Sequence, residues 1–352
     1  MHVADHAPLA PLTTLRLGGP AARLVLAERE HELVDTVREI DSRGEPLLVL
    51  GGGSNVVVAD AGFAGTVVRV GTRGRRVVED RDGKVLVTAQ AGEPWDDFVV
   101  LAVEEGLAGV ECLAGIPGLV GAVPMQNVGA YGQDVSETIV ELRAYDRELR
   151  QVVTIDRRAC DFAYRSSAFR GRSRHVILEV TFALARSSES RPIRYHELAR
   201  ALEVKEGSPA PLGTVRRTVV ELRRGKGMVL DVSDPDTTSA GSFFTNPILD
   251  PGALRDLEAR AEGEGPLPRF PEPDGRTKVS AAWLIERAGF PKGFAGPGGR
   301  VAVSTKHALA LTNRGGASAA ELLALARTIR DGVRARFGVT LETEPVLVGA
   351  RL

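Results

Sequence analysis

The chain has 352 residues, with 45 Lys and Arg against 46 Asp and Glu and a formal net charge of −1. At roughly 100–200 residues per domain this length predicts two or three domains, and the balanced charge excludes a partner held by a global basic field, such as nucleic acid or a membrane surface. The 43% apolar and 26% charged fractions are ordinary for a soluble globular protein, whereas 39 glycines point to backbone loops that lie close against something.

The chain opens by alternating strand and helix. Residues 23–27 read as a short strand, and residues 29–42 as a helix with Leu33, Val34, Val37 and Ile40 on one face and Gly44 as a stop. A buried strand at 46–50 runs straight into the turn Gly51, Gly52, Gly53, Ser54, Asn55. From 67 to 184 the signals are mostly strands, at 67–70, 85–89, 139–145, 151–155 and 175–184. One helix interrupts them near 95–105, with Trp95, Phe98, Val99, Ala102 and Val103 at helical spacing. The glycine-rich stretch 106–132 is too aperiodic for an ordinary element, and loops of such length are usually functional or disordered; its apolar content disfavours disorder. Segments 186–192, 205–213, 231–238 and 263–278 read as turns or loops. Ser280 is placed to cap a helix through 288, and Ser318 with Glu321 forms a capping box before a stripe of Leu322, Leu325, Ala326, Ile329, Val333 and Phe337 that stops at Gly338.

Cys112 and Cys160 form no CxxC pair, which predicts buried thiols in a reduced compartment. No run reaches the ~20 apolar residues of a membrane span, and the first residues lack the basic start and apolar stretch of a signal peptide. A cytoplasmic protein is expected. The six His are scattered, with His31–Glu32 and His196–Glu197 reading as helix-surface pairs, and no HExxH or His/Cys cluster suggests a metal.

Three signals carry chemistry. Successive N–H groups in the 51–55 turn form a concave anion site, to which Ser54 and Asn55 add donors. A Rossmann fingerprint fails because Val56 stands where its third glycine belongs. The GxSxG elbow also fails, and no GxxxxGK[ST] loop occurs. In the second signal, 113–132, small residues let backbone lie against a flat ligand, while Gln126 and Asn127 offer amides to a heterocycle edge; a loop filling a domain interface is the alternative. The third is a set of polar residues in unusual settings: Tyr164-Arg165, Ser242 beside two Phe, and Glu344 ahead of a strand. Arginine clamps carboxylates, and a serine in a dry pocket is a donor. A surface ion pair, a turn hydroxyl and a solvated strand end are the ordinary alternatives.

Together these blocks resemble the UDP-N-acetylenolpyruvoylglucosamine reductase (MurB) family of peptidoglycan precursor synthesis. The matching stretches, in order, are PLTTLRLGG at 11–19, LGGGSN at 50–55, AGEPW at 91–95, IPG at 116–118 with QNVGAYG at 126–132, FAYRSSAF at 162–169, AGSFFTNP at 240–247 and LETE at 341–344. The ordered set is specific, although each stretch alone is weak.

The resemblance implies an α+β fold: an FAD-binding N-terminal region of the PCMH/vanillyl-alcohol-oxidase type, in two subdomains at 1–71 and 72–232, and an α+β domain for the UDP-sugar substrate at 233–352. It implies FAD held by Gly51, Gly52, Gly53, Ser54 and Asn55 and by Ile116, Pro117, Gly118, Gly121, Gln126, Asn127, Gly129, Ala130, Tyr131 and Gly132. NADPH is the implied hydride donor. The implied reaction delivers hydride to C3 of an enolpyruvyl group, builds charge at C2 and in the carboxylate, and then needs a proton at C2. Arg165 matches the arginine that stabilises the carboxylate, Glu344 the glutamate beside it and Ser242 the proton donor. Tyr164, Lys226, Asn246 and His307 match substrate contacts, and Tyr195 matches a tyrosine that covers the substrate in one subtype. The sequence departs from the family pattern at Pro345-Val346 and in a long polar segment at 227–238. A monomer with no metal, nucleic-acid or membrane partner is expected. Two alternatives remain: another flavin oxidoreductase of the same fold, which has no need of the Ser242 and Glu344 blocks together, and a UDP-sugar-binding protein without redox chemistry, which has no need of the 116–132 stretch.

Overall fold

Apolar spacing decides most of the architecture. In the computed structural model, which describes residues 1–79 and 83–352, the helix Glu30–Ser42 buries Leu33, Val34, Val37 and Ile40, the face read from the sequence. The alternating runs become the strands Phe63–Val70, Lys84–Gln90, Ile139–Asp146, Gln151–Asp156 and His175–Arg186. The chain divides into two compact units, each built from separate stretches.

The first unit comprises 1–7, 21–53 and 64–225. One sheet has the order 2–8, 20–27, 63–70, 47–50, its last pair parallel; the other runs 151–156, 139–146, 175–186, 84–90, 75–79 and is antiparallel. The helix Trp95–Glu104 packs on the second sheet: Trp95 and Phe98 stack at 5.5 Å and Phe98 meets Phe182 of the central strand at 4.7 Å. Trp95 is fully buried, and its indole N–H donates to Leu113 O at 3.0 Å. Each fully buried side chain of this size contributes about 1.5–3 kcal/mol from apolar burial alone. Glu179, buried on the central strand, is ion-paired with Arg76 at 2.8 Å and Arg143 at 3.1 Å, so the sheet carries no uncompensated charge there.

The second unit comprises 8–20, 54–63 and 226–352. Its core is set by the helix Ala319–Phe337, whose stripe from Leu322 to Phe337 packs with Leu15, Leu17, Val57, Phe243 and Phe244. The capping box forms as read, with Ser318 and Glu321 satisfying each other's backbone N–H. A three-stranded sheet orders 239–242, 310–313 and 301–303, and Val346–Val348 pairs in parallel with Val56–Val58. That register resolves the departure at Pro345-Val346: Val346 lies opposite Val56.

Several readings of the sequence need correction. The 263–278 loop contains a hairpin of the exposed Arg269–Pro271 with the half-buried Thr277–Val279, three-residue strands too short to show an apolar alternation. The structure adds the helices Leu212–Gly225 and Pro251–Arg260, the first of which the sequence pattern hides because arginines dilute its apolar stripe. The 231–238 tract is not simply a solvated loop: it holds a 3-10 turn, Pro235–Thr237, whose Asp236 and Thr237 are buried. Glu32 is buried against the amino terminus and Arg29 rather than forming an exposed pair with His31. In 186–192, Ser190 is buried and accepts from Ala210 N. Both cysteines are buried thiols, and burial pushes Cys160 up to about 12.

Candidate active site

In the first unit the strand Leu47–Leu50 feeds the chain into Gly51–Gly53. A Cβ on Gly52 would stand 2.8 Å from Gly118 Cα, so two glycine-bearing loops touch backbone to backbone with no side chain between them. The 116–121 stretch is pinned to the 91–95 block: Trp95 N donates to Gly118 O at 3.0 Å, Val120 N to Glu93 O at 2.8 Å and Gly121 N to Ala91 O at 2.9 Å. Gly121 is itself tight, since an added Cβ would lie 2.5 Å from Ala91 Cβ. Three separated sequence blocks thereby become one glycine-lined wall. Pro117 follows Ile116, which packs partly buried against the core.

The 3-10 segment Val120–Gln126 ends on Asn127, in the left-handed region at φ 48°. Asn127 is buried; its Nδ2 donates to Ala163 O at 3.2 Å and its Oδ1 accepts from Ser136 N at 3.1 Å. The amide expected to meet a heterocycle edge is engaged within the protein, where it ties the loop to the 162–169 block. Gly129 and Ala130 then pair with Asp134 and Gln133. Arg165 donates from Nη2 to Gly129 O at 2.7 Å, from a backbone at φ 50°, and its guanidinium lies 5.6 Å from the Tyr164 ring centroid. A non-glycine residue held there stores local strain, which clusters at functional sites. Tyr131 is buried and meets Tyr195 edge-on at 5.4 Å; Tyr195 is 42% exposed and starts the helix His196–Ala201. Gly132 is packed beside Arg194 and Tyr195.

Arg223 was missed by the sequence reading. It is 8% exposed on the helix Leu212–Gly225, on the side that also buries Val215 and Val219. Burial lowers its pKa to about 10, against the pull of Tyr131 and Asp96, and Arg165 lowers it further. Burial also raises Tyr131 to about 12, with Arg223 opposing. The first unit therefore carries cationic charge beside Tyr131, suited to an anionic group.

In the second unit the strand Ser239–Ser242 pairs with Ala310–Asn313, placing Ser242 opposite Ala310. Phe243 N donates to Leu309 O at 2.7 Å, Glu344 N to Phe243 O at 2.9 Å and Thr245 N to Glu342 O at 3.0 Å, so LETE lies alongside the Ser242 block. Asn55 Nδ2 donates to Glu344 O at 3.4 Å, and Val346 N to Asn55 O at 3.0 Å. Ser54, Asn55, Ser242 and Glu344 are thus assembled in one unit from three distant stretches. Asn246 Oδ1 accepts from Ala281 N at 2.9 Å, and His307 is held in a turn by Ser304 Oγ, which accepts from its N–H at 3.2 Å. Lys226 opens the long stretch of this unit, next to a tight contact between Gly227 and Asp236. Among the described residues no group of His, Cys, Asp and Glu is arranged to hold a metal, and no helix is long and apolar enough to cross a membrane.

Residues 21–154 match the model of an FAD binding domain, and residues 234–348 match that of the UDP-N-acetylenolpyruvoylglucosamine reductase C-terminal domain. The UDP-N-acetylenolpyruvoylglucosamine reductase of Thermobifida fusca is 57% identical over 99% of this chain and 99% of its own. That of Salinispora arenicola is 54% identical over 100% of this chain and 97% of its own. The crystal structure of the Thermus caldophilus reductase (MurB) superposes with a TM-score of 0.65 at 23% identity, covering 99% of this chain and 98% of that one, which shows a common fold. With relatives at this identity along its whole length, the chain belongs to the UDP-N-acetylenolpyruvoylglucosamine reductase family.

Proposed function

We propose that this protein reduces the enolpyruvyl group of UDP-N-acetylenolpyruvoylglucosamine to UDP-N-acetylmuramate, using NADPH and bound FAD, in peptidoglycan precursor synthesis. The observation that carries this is the end-to-end match to reductases of that name. The test is direct. Purified protein is yellow, releases FAD on denaturation, and oxidises NADPH in a manner that depends on the enolpyruvyl sugar nucleotide. A colourless preparation that cannot be reconstituted rejects the reading.

The residues present suit the cofactor. At Gly52 and Gly121 a Cβ would collide with the neighbouring loop, so bare backbone lines the wall where a pyrophosphate and a flat ring are to lie. Successive N–H groups of such a turn make an anion cradle. Gly51, Gly52, Gly53, Ser54 and Asn55 take the pyrophosphate in this reading. Ile116, Pro117, Gly118, Gly121, Gln126, Gly129, Ala130, Tyr131 and Gly132 flank the ring system, and Asn127 shapes their loop. When bound there, FAD would supply the hydride-transfer chemistry between NADPH and C3 of the substrate.

The chain's own work is electrostatic and acid–base. Arg165, oriented by its bond to Gly129 O, stabilises the substrate carboxylate as negative charge grows there. Ser242 gives a proton to C2 from its Oγ. A serine is a weak acid, so this step needs a strongly basic acceptor and close placement. Glu344, next to the Ser242 block, supports the carboxylate end. Tyr164, Lys226, Asn246 and His307 bind the sugar nucleotide, and Tyr195 covers it. We read the substrate domain as 233–352, in keeping with the family match that starts at 234, and the FAD-holding subdomains as 1–71 and 72–232, although the compact units take 8–20, 54–63 and 226–232 with the C-terminal part. We place the enzyme in the cytoplasm as a monomer, in keeping with its soluble precursor substrate.

A further inference from the structure

The polar segment 227–238 is anchored by one carboxylate. Asp236 is 3% exposed. Its Oδ1 accepts from Thr305 N at 2.9 Å and from Arg314 Nη2 at 2.6 Å, and its Oδ2 accepts from Thr305 Oγ1 at 2.5 Å. Asp234 adds an ion pair to Lys306 Nζ at 2.6 Å. Burial acts to raise the Asp236 pKa, but the Thr305 bonds and Arg314 outweigh it and the net shift is downward, so the group is ionised.

The turn gripped in this way is the one that carries His307. Ser304 Oγ accepts from both Lys306 N at 3.1 Å and His307 N at 3.2 Å, and Ala310 N donates to His307 O at 3.0 Å. On its other side Asp236 packs against the chain just after Lys226: a Cβ on Gly227 would lie 3.0 Å from Asp236 Cβ, and Gly227 has φ 66°. Asp236 also lies three residues before the strand Ser239–Ser242, which pairs with the strand leaving the His307 turn. A buried, ionised carboxylate with donors on both oxygens is a rigid tie, because charge-assisted bonds are short and strong in a low dielectric.

We propose that Asp236 is a positioning residue for substrate binding: it clamps the turn 304–307 so that His307 is held in its binding geometry. This rests on the reading of His307 as a substrate contact. The residue touches no reacting atom, so its removal weakens substrate binding and spares the half-reaction in which NADPH reduces the flavin.

The test uses the FAD-loaded enzyme. Substrate affinity is measured by calorimetry on the oxidised holoenzyme without NADPH, together with KM, kcat, the rate of flavin reduction by NADPH and the Tm. Asp236→Asn keeps size but removes the charge, and is expected to weaken substrate binding and raise KM by roughly tenfold, the order of one charge-assisted bond. Flavin reduction by NADPH stays at the wild-type rate. Thr305→Val, which deletes one donor and is milder for folding, is expected to raise KM severalfold, and Thr305→Ser recovers most of that loss. His307→Ala serves as the reference. If it weakens binding and Asp236→Asn does not, or Asp236→Asn lowers only the Tm, the clamp is refuted. Loss of flavin reduction in parallel with substrate affinity also refutes it. If His307→Ala leaves affinity unchanged, the substrate role of His307 is what has failed.

Discussion

Gly52→Ala probes the glycine wall with a single added carbon. The Cβ would stand 2.8 Å from Gly118 Cα and 3.3 Å from Gly118 C, both backbone atoms that no rotamer change can move aside. Carbon atoms settle near ~3.5–4.0 Å, so one loop must retreat from the other by roughly 1 Å. Overpacking on this scale costs about 1–3 kcal/mol. In the proposed cofactor site FAD binding needs the two loops at their original separation, so the same displacement is expected to lower FAD affinity, by about ten- to a hundredfold if most of the cost falls on the bound state. The assay is FAD titration of the apoprotein, followed by flavin fluorescence, with the Tm of the apoprotein as a stability readout. Gly44→Ala is the control: it forces a side chain into φ 65° at the end of the helix Glu30–Ser42, with nothing within 4 Å of the new Cβ. It lowers stability by about 1–2 kcal/mol and leaves FAD affinity alone. Equal FAD affinity in Gly52→Ala and wild type would show that the contact between these loops does not shape the cofactor site.

Ser242→Ala is expected to keep flavin reduction by NADPH and lose most reoxidation by substrate; stopped-flow measurement of the two half-reactions checks this, and equal loss of both rejects the proton-donor role. Trp95→Ala removes a fully buried indole and its bond to Leu113 O, with an expected cost of about 3–5 kcal/mol in denaturant unfolding; a cost near zero contradicts the packing described. In acid, Arg174 hydrogen-bonded to Asp146 holds that carboxyl at about 2, below its ordinary 3.8, and Arg29 does the same for Glu32, at about 2 against 4.5. Depressed pKa values mean the unfolded chain binds more protons, so this stability is present above about pH 5 and is lost as pH falls toward 2. Asp146→Asn and Glu32→Gln should each flatten the fall of Tm with pH over that range, and an unchanged slope in both would show that the pairs do not matter.

What was legible in the sequence is what local patterning encodes. The stripe Leu33, Val34, Val37, Ile40 and the Ser318–Glu321 box need only neighbouring residues to form, and the family motifs are short stretches in fixed order. What stayed hidden depends on distant partners. Asp236 sits in a tract of polar residues, and nothing in that tract announces Thr305, 69 residues away. Asn127 reads as a free amide until Ala163 and Ser136 are brought to it. The helix Leu212–Gly225 is obscured in the sequence because the arginine at 223 occupies a core-facing position. In each case tertiary context reverses the local signal.

The parallel pairing of Val346–Val348 with Val56–Val58 has a consequence for how the molecule is made. The second unit takes Leu15, Leu17 and Val57 into a core otherwise supplied by residues from Ala240 onward. During synthesis these early residues leave the ribosome long before their partners exist, at roughly 5–20 residues per second. The stretches 8–20 and 54–63 must wait for nearly the whole chain. Closure over that sequence distance slows folding, and the waiting apolar segments offer chaperones something to hold. The same delay falls on the neighbourhood of Asn55, Ser242 and Glu344, because Asn55 reaches Glu344 only across 289 residues. A nascent chain interrupted before that point has Asn55 but not the Glu344 backbone carbonyl to which it donates.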